Sequence, residues 1–387
     1  MKIAIICSYD FSIAWSLEIF VKKLLQDHQV TVLCDMHDGF SEGHYTEIMK
    51  GWGVRHEHVK TYRFLSPFED FKYLMALYRA LKSDEYDLVI NIATKPNVYG
   101  SIAAKWVGIK KIVCFGWGLG LTFEKTRNLG RIILRYILSS LYWYAFRVSH
   151  TVWFTNKHDL DYLAEKKIID PTKAFLTRGF VDINLYSPTS VPLKTTENLK
   201  KELGYKSTDK IIILIARMSW AKGIKQFCEA SDILRENYPE VKFLMVGQED
   251  TGSPDSVPKS YIEEYQKKEN LSHLGYRVDI KELYSLAYLA VFPSYYREGG
   301  WPRGLTEPMA MGKPVITTDN EHCSGAVVDG ENGLIVPIKD SNALAQAIER
   351  VVNNDEMAKE FGRKSRLKAL EELDEEKIMQ ELVKAII

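Results

Sequence analysis

The chain alternates twice between short apolar runs of strand length and amphipathic stretches of helix length, and few folds tolerate that rhythm. In the first half the runs KIAIIC, VTVLCD, DLVINI, KIVCFG and TVWFT are separated by segments such as SLEIFVKKLLQD and PFEDFKYLMALYRALKS. Runs that are apolar at nearly every position suit strands covered on both faces, as in a parallel sheet flanked by helices. The rhythm lapses between Pro188 and Asp209, where SPTSVPLKTTENLK is polar, and resumes with KIIILIA, VKFLMVG, AVFPS, PVITT and GLIVP. From Ser341 to Ile387 the pattern is helical and charged, without strand signals. At 387 residues the chain is too long for one core. The expected architecture is α/β: a doubly wound domain over 1–188, a linker over 189–209, a second doubly wound domain over 210–370, and a terminal helix over 371–387 packing back on the first domain.

Such sheets take ligands in the crevice outside the carboxyl ends of their strands. A dinucleotide oxidoreductase shares that outline, but the turn after the first strand, CSYDFSIAWS, contains no glycine and therefore no G-x-G-x-x-G fingerprint. No apolar run approaches the roughly 20 residues of a membrane span. The N-terminal MKIAIICSYDF is too short in its apolar part for a signal peptide and reads as a buried strand. Cys7, Cys34, Cys114, Cys228 and Cys323 lie far apart with no C-x-x-C pair, so they read as buried thiols rather than disulfides or zinc ligands. The expected compartment is the cytosol.

Formal charge is balanced at 51 basic and 51 acidic residues, but not evenly placed. Residues 1–190 hold 24 Lys and Arg against 19 Asp and Glu. Between Ser101 and His150 eight cations (Lys105, Lys110, Lys111, Lys125, Arg127, Arg131, Arg135 and Arg147) face one acid, Glu124. Such a concentration fits an anionic partner.

The residues that suggest chemistry lie in the second half. After KIIILIA comes RMSWAKG, which puts Arg217 and Lys222 at a strand's carboxyl end. Two cations on one loop suit a diphosphate, whose charge grows as it departs, and equally suit a solvated basic loop. A second loop lies in AVFPSYYREGGWPRGLTEPMAMGKPVITT. Gly299, Gly300 and Gly304 permit close backbone approach, and a helix is expected to start near Leu305 and Thr306 with Pro308 in its first turn. Free N–H groups there form an anion site. Glu307 suits two ribose hydroxyls as acceptor, or simply complements the helix dipole.

At these residues the chain resembles the retaining glycosyltransferases of family four, which have the GT-B fold of two Rossmann-like domains facing a cleft. The resemblance rests on Arg217, Lys222, the pair Glu298 and Glu307, and MAMGKPVITTDNEHCSGAVVDGENGLIV; it extends over nearly the whole chain. HLGYRVDIKELYSLAYLAVFPS matches the stretch before the glutamates, and GFVDINLYSP resembles the family's G-V-D-x-x-x-F linker motif. TKPNVYGSIAAKWVGIKK, GWGLGLTF and SWAKGIKQF are similar to bacterial N-acetylgalactosaminyl and related transferases that build lipid-linked oligosaccharides and surface polysaccharides. The resemblance implies that Arg217 and Lys222 hold the donor diphosphate and that Glu307 holds the ribose. Glu298 would face the donor sugar, Gly299 and Gly300 would let backbone approach it, and the nucleobase would lie near Tyr276 and Arg277. Leu305 and Thr306 complete the donor side; Asp10, Ser12, Lys95 and Trp117 are the acceptor-side candidates.

Three departures stand out. Glu298 and Glu307 are nine apart where the family spacing is eight, so one of Gly299 and Gly300 reads as inserted. The glycine-rich loop after the first strand is missing, with Ser12 its nearest stand-in. A histidine common near the end of the fifth strand is replaced by Trp117, leaving Asp10 as the candidate base. No D-x-D-type metal pair occurs in a plausible place, so the expectation is a metal-free reaction, with the nucleotide sugar a substrate and no cofactor.

The stretch from Asn128 to His150 interleaves arginines with Tyr136, Tyr142, Trp143, Tyr144 and Phe146. This fits the headgroup layer of an anionic membrane through Arg127, Arg131 and Arg135, and also fits a helix packing its rings into a core. No nucleic-acid recognition module is present. The leading reading is transfer of a hexose or N-acetylhexosamine from a UDP-sugar, or another nucleotide sugar, to a polyprenyl-diphosphate-linked saccharide. The enzyme would work at the cytoplasmic face of the inner membrane. Lipopolysaccharide core or a soluble sugar is the alternative acceptor; a nucleotide-sugar epimerase or a non-catalytic binding module is the alternative class.

Overall fold

The computed structural model describes residues 1–14, 16–36, 44–62, 66–119, 123 and 128–387. The chain divides into two compact units, one of Met1–Arg178 with Glu376–Ile387, the other of Gly179–Glu375.

In the first unit the order is β1 (Lys2–Tyr9), α1 (Phe11–Ala14), α2 (Glu18–Asp27), β2 (Gln29–Asp35), α3 (His44–Gly51), β3 (Arg55–His58), α4 (Pro67–Lys82) and β4 (Leu88–Ile92). Then follow α5 (Ser101–Val107), β5 (Lys111–Phe115), α6 (Leu129–Val148), β6 (Thr151–Phe154), α7 (Lys157–Glu165) and β7 (Ala174–Leu176). The strands form one parallel sheet in the order β3-β2-β1-β4-β5-β6-β7. The order reverses between β1 and β4. Alternate residues of the central strands face opposite sides, and Ala4, Ile6, Val89 and Ile112 meet Leu77 and Leu81 of α4 and Ala103 and Ala104 of α5.

The second unit runs α8 (Leu193–Glu202), β8 (Lys210–Ile215), α9 (Ile224–Leu234), β9 (Val241–Val246), α10 (Lys259–Gln266), β10 (Leu271–His273), α11 (Ile280–Leu286) and β11 (Leu289–Phe292). It continues through α12 (Arg303–Ala310), β12 (Val315–Thr318), β13 (Gly333–Val336), α13 (Ser341–Val352) and α14 (Asp355–Glu372). Its parallel sheet has the order β10-β9-β8-β11-β12-β13. Ile212 and Leu214 of β8 pack toward α9 and α13, while Ile211 and Ile213 pack toward α11, α12 and α14. Both faces are therefore closed by helices, as the continuous apolar runs require.

The expected strands are all present, and three more appear: β3, β7 and β10. Each sits near or at a sheet edge, and β3 reads Arg-His-Glu-His, where no core demands apolar residues. The stretch 189–209 is not a bare linker. It folds into α8, whose Leu199 joins the second core together with Val181 and Val191, so the division falls at Arg178 and Gly179 instead of near Pro188. After α14 the chain returns to the first unit as α15 (Glu375–Ile386), with Met379, Leu382 and Ile386 fully buried. All five cysteines are buried and unbridged.

Gly223, which separates Lys222 from α9, has φ +78°, and a Cβ there would lie 2.2 Å from the carbonyl oxygen of Pro293. Two loops thus approach each other at a distance only glycine permits. Gly223→Ala is expected to lower unfolding free energy by about 2–4 kcal/mol, from left-handed strain plus overpacking. Urea unfolding checks this; a loss under about 1 kcal/mol would mean that the loops separate freely.

Candidate active site

In the second sheet the strand order reverses between β8 and β11, and the chain leaves them toward helices on opposite faces. This opens a crevice at their carboxyl ends. The loop after β8 is fastened to the loop after β9. Met218 N–H donates to the Gln248 carbonyl at 2.9 Å, and Val257 N–H to the Met218 carbonyl at 3.0 Å. Arg217 stands on this loop half-exposed, its Nη1 donating to Asp250 Oδ1 at 2.8 Å.

Lys222 points the other way, into the protein. Its Nζ donates to Glu298 Oε1 at 2.6 Å and Oε2 at 2.7 Å, with only 10% and 9% of the two side chains exposed. Burying two opposite charges is tolerated because each neutralises the other and finds further partners. Glu298 Oε1 accepts the Ser294 hydroxyl at 2.8 Å, and the Tyr296 ring lies 4.8 Å from the ammonium. The β11 loop is held in turn from the β12 side: Thr318 Oγ1 donates to the Ser294 carbonyl at 2.6 Å, and Asn320 Nδ2 to the Tyr296 carbonyl at 2.8 Å. An ammonium has three protons. Two go to Glu298, which leaves the third for a further acceptor.

Gly299 and Gly300 continue this loop to α12. The helix starts earlier than the sequence suggests, at Arg303 after an extended Pro302, and Pro308 lies inside it rather than in its first turn. Leu305 and Thr306 therefore lie inside the first turn of α12 and not ahead of it. Their N–H groups both donate to the Pro302 carbonyl, at 2.8 and 3.0 Å, and their side chains are fully buried. Gly304 brings α12 against the sheet; a Cβ there would lie 2.5 Å from the Phe292 ring. Glu307 is almost wholly buried, and burial raises its carboxyl to about 7 against the opposing pull of Arg303 and Tyr186. Tyr276 and Arg277 follow β10, with Tyr276 exposed and Arg277 donating through Nε to Asp279 at 2.8 Å.

In the first unit Asp10, Ser12, Lys95 and Trp117 all follow the carboxyl ends of β1, β4 and β5. Asp10 has no exposed surface; its Oδ2 accepts both the N–H and hydroxyl of Thr46, anchoring α3. Lys95 is paired with buried Asp70 at 2.5 Å. Trp117 sits in an aromatic cluster, its ring 5.2 Å from Trp153 and 5.4 Å from Phe115. Ser12 lies half-buried in α1. Arg127 lies outside the described residues. Arg131 and Arg135 are on α6, a 20-residue helix whose only buried residues are Tyr142, Ala145 and Phe146.

Residues 195–368 match the family described as Glycosyl transferases group 1, and residues 6–156 the family Glycosyl transferase 4-like. The chain is a glycosyltransferase with the GT-B fold. Over 348 residues this glycosyltransferase is 27% identical to the N,N'-diacetylbacillosaminyl-diphospho-undecaprenol alpha-1,3-N-acetylgalactosaminyltransferase of Campylobacter jejuni, covering 88% of this chain and 87% of that protein. It is 24% identical to the UDP-Gal:alpha-D-GlcNAc-diphosphoundecaprenol alpha-1,3-galactosyltransferase of Escherichia coli, over 76% of this chain and 73% of that protein. Among solved structures, Anabaena HepE in complex with UDP matches with a TM-score of 0.78 at 18% identity, over 99% of each chain.

Two residues of the candidate site escape sequence reasoning. Ser294 and Asp250 bind the charged pairs, yet serine after a strand and aspartate in GQED are ordinary turn residues. Only their placement at the carboxyl edge of β11 and β9 distinguishes them.

Lys222→Ala would leave the Glu298 carboxylate buried without its cation. It is expected to cost about 3–5 kcal/mol of stability, as well as about 10²-fold or more in kcat. The double variant Lys222→Met/Glu298→Gln should recover most of the stability and none of the activity. Urea titrations beside single-turnover assays test both; a Lys222→Ala protein as stable as the parent would refute a desolvated pair.

Proposed function

We propose that this glycosyltransferase transfers a hexose or N-acetylhexosamine from a UDP-sugar to a saccharide carried on a polyprenyl diphosphate, with retention of configuration and without a metal ion. The observation that carries this reading is the placement of Arg217, Lys222 and Glu298 on the loops that leave β8 and β11, where the strand order of the second sheet reverses. The donor and acceptor classes are supported by the names of the two relatives above and by the UDP held by the Anabaena protein.

In this mechanism the anomeric carbon–oxygen bond breaks with its electron pair passing to the departing diphosphate. The acceptor hydroxyl oxygen bonds to the same face of the anomeric carbon, and its proton passes to the leaving phosphate oxygen. No protein base is required, which agrees with Trp117 standing where the family has histidine and with the full enclosure of Asp10. Lys222 supplies its remaining ammonium proton to the growing negative charge, and Arg217 turns from Asp250 to the outer phosphate oxygens. Glu298 keeps Lys222 aimed and presents an oxygen to the sugar hydroxyls; Glu307 accepts from the ribose. Side-chain cations thus take the role a divalent ion plays elsewhere.

The acceptor class implies work at a lipid surface, and we assign α6 to docking on the cytoplasmic face of the inner membrane. Leu129, Ile133, Tyr136, Ile137 and Trp143 are exposed along it at helical spacing, an apolar stripe that water does not favour. Arg131, Arg135 and Arg147 lie on the same helix, giving the basic and aromatic mixture of an interfacial segment. Among the described residues no helix is long and apolar enough to cross a membrane.

Transfer from a UDP-sugar to a polyprenyl-diphosphate saccharide is expected to persist in excess EDTA, with the anomeric configuration of the donor kept in the product. Abolition by EDTA with rescue by Mg²⁺ or Mn²⁺ would overturn the cation-only reading, and an inverted product would overturn retention. Binding to liposomes should need anionic lipid and weaken with salt. Arg131→Glu/Arg135→Glu should cut partitioning at least about tenfold, at about 1 kcal/mol per cation. Ile133→Ser/Tyr136→Ser should cut it too, while both variants keep activity on a short water-soluble acceptor. Unchanged co-sedimentation of the two variants would remove α6 from docking.

A further inference from the structure

Helix α6 ends against a hollow of about 670 Å³ at the amino-terminal edge of the first sheet. Its polar and aromatic lining comes from three returns to that sheet. Lys105 belongs to the last turn of α5; Trp143, Tyr144 and Arg147 belong to the end of α6, with His150 just after it; Lys173 precedes β7. Three cations and a histidine meet there, and no Asp or Glu is among the described residues that line it. Lys111 adds its field from the start of β5, although its ammonium is engaged by the Ile387 carbonyl oxygen at 2.5 Å. Parallel pairing sets this edge opposite the one that carries Asp10, Lys95 and Trp117, so the hollow is no part of the acceptor side.

The carboxyl end of a helix carries partial negative charge, which would turn an anion away. Here that charge is already answered. Lys173 Nζ lies 3.4 Å from the Phe146 carbonyl oxygen and 2.8 Å from those of Arg147 and Ser149. The other donors remain available. His150 Nδ1 accepts the Ile112 N–H at 3.3 Å, so the proton of the neutral ring sits on Nε2. The Arg147 guanidinium lies 5.3 Å from the Trp143 ring, a contact that steadies it without using its N–H groups. Among the described residues neither Lys105 nor Arg147 has an acidic partner.

Arg147 also closes the apolar stripe of α6. The 18 residues from Leu129 to Arg147 make about five whole turns, so Leu129, Ile133, Tyr136, Trp143 and Arg147 fall within about 40° of one line along the helix. All five are exposed. Arg131 and Arg135 lie off that line and act through their field. A surface that meets the stripe therefore meets the hollow at its end.

We propose that this hollow holds the phosphodiester of an anionic bilayer phospholipid, with Arg147, Lys105 and the Nε2–H of His150 donating to its oxygens. This rests on α6 docking at the membrane. A planar guanidinium takes two phosphate oxygens at once, so the site recognises the phosphate itself and not only its charge.

The experiment titrates monomeric dihexanoyl-phosphatidylglycerol by calorimetry, beside dihexanoyl-phosphatidylcholine and inorganic phosphate. The proteins are the parent, Lys105→Gln/Arg147→Gln and Lys22→Gln/Lys50→Gln, the last removing the same charge from exposed positions on α2 and α3. The parent should bind phosphatidylglycerol at one site, at least about tenfold more tightly than either other probe. Lys105→Gln/Arg147→Gln should lose about tenfold or more, and Lys22→Gln/Lys50→Gln no more than about twofold. Co-sedimentation with vesicles of phosphatidylglycerol and phosphatidylcholine should rank the three proteins in the same order. Inorganic phosphate binding as tightly as the lipid would make this a free-phosphate site and overturn the proposal. No saturable lipid binding, or equal losses in the two double variants, would overturn it as well. If Lys105→Gln/Arg147→Gln sediments with vesicles as the parent does, α6 docks and the hollow takes no headgroup. If the parent does not sediment at all, the docking reading fails and takes this one with it.

Discussion

Every strand pairing in the two sheets is parallel, and that constraint underlies the placement of everything else. Parallel strands must be joined by crossovers, so all strand-to-helix loops of a sheet emerge on one edge and all returns on the other. In the second unit this brings together loops that are far apart in sequence. Arg217 and Lys222 come from the β8 exit, Asp250 from β9, Glu298 from β11, and Thr318 and Asn320 from β12. In a meander, where successive loops alternate between edges, Lys222 after β8 and Glu298 after β11 would lie at opposite ends. Interior glycines then decide how tightly the loops close. Gly247 has φ +147°, and a Cβ there would lie 1.8 Å from the Ala216 carbonyl oxygen.

The Lys222–Glu298 pair shows how such an edge holds charge ready. An isolated ammonium in so covered a position would be strongly disfavoured. Glu298 removes that penalty, and Ser294 and the Tyr296 ring complete the enclosure. The arrangement is held in place: the ammonium is fixed on both oxygens of Glu298 and enclosed by the Tyr296 ring. Arg217 differs in kind. Half-exposed and bound to Asp250 by a single contact, it can swing between partners at small cost.

Much of this was legible in the sequence, and what was not has physical reasons. The central strands announced themselves because they are apolar on both faces. The strands β3, β7 and β10 did not, because three or four residues near a sheet edge, among them Arg55, His56 and His58, carry no apolar signature. Prolines misled in one place. Pro308 suggested a helix start near Leu305, yet Pro302 precedes the true first turn, and an eight-residue helix tolerates one interior proline because it forfeits a single backbone bond. The polar stretch 189–209 looked like a linker because α8 buries only Leu199. Arg217, Lys222, Glu298 and Glu307 stand out in the sequence through spacing and resemblance, and the structure puts the first three on the loops after β8 and β11 and Glu307 on α12. The partners Ser294 and Asp250 do not stand out, since each is an unremarkable residue until three-dimensional structure brings it to a charged neighbour.

The return of α15 to the first unit has a consequence for how the molecule is made. Met379, Leu382 and Ile386 are among the most deeply enclosed side chains of the unit that begins at Met1. A ribosome releases residues in order, so that core stays incomplete until residues 376–387 have followed the whole of the second unit. The intervening segment, Gly179–Glu375, is by contrast continuous and fully synthesised earlier. The usual tendency of the N-terminal unit to fold first during synthesis is therefore opposed here. The nascent chain therefore carries an unfinished apolar surface on its first unit throughout the synthesis of the second.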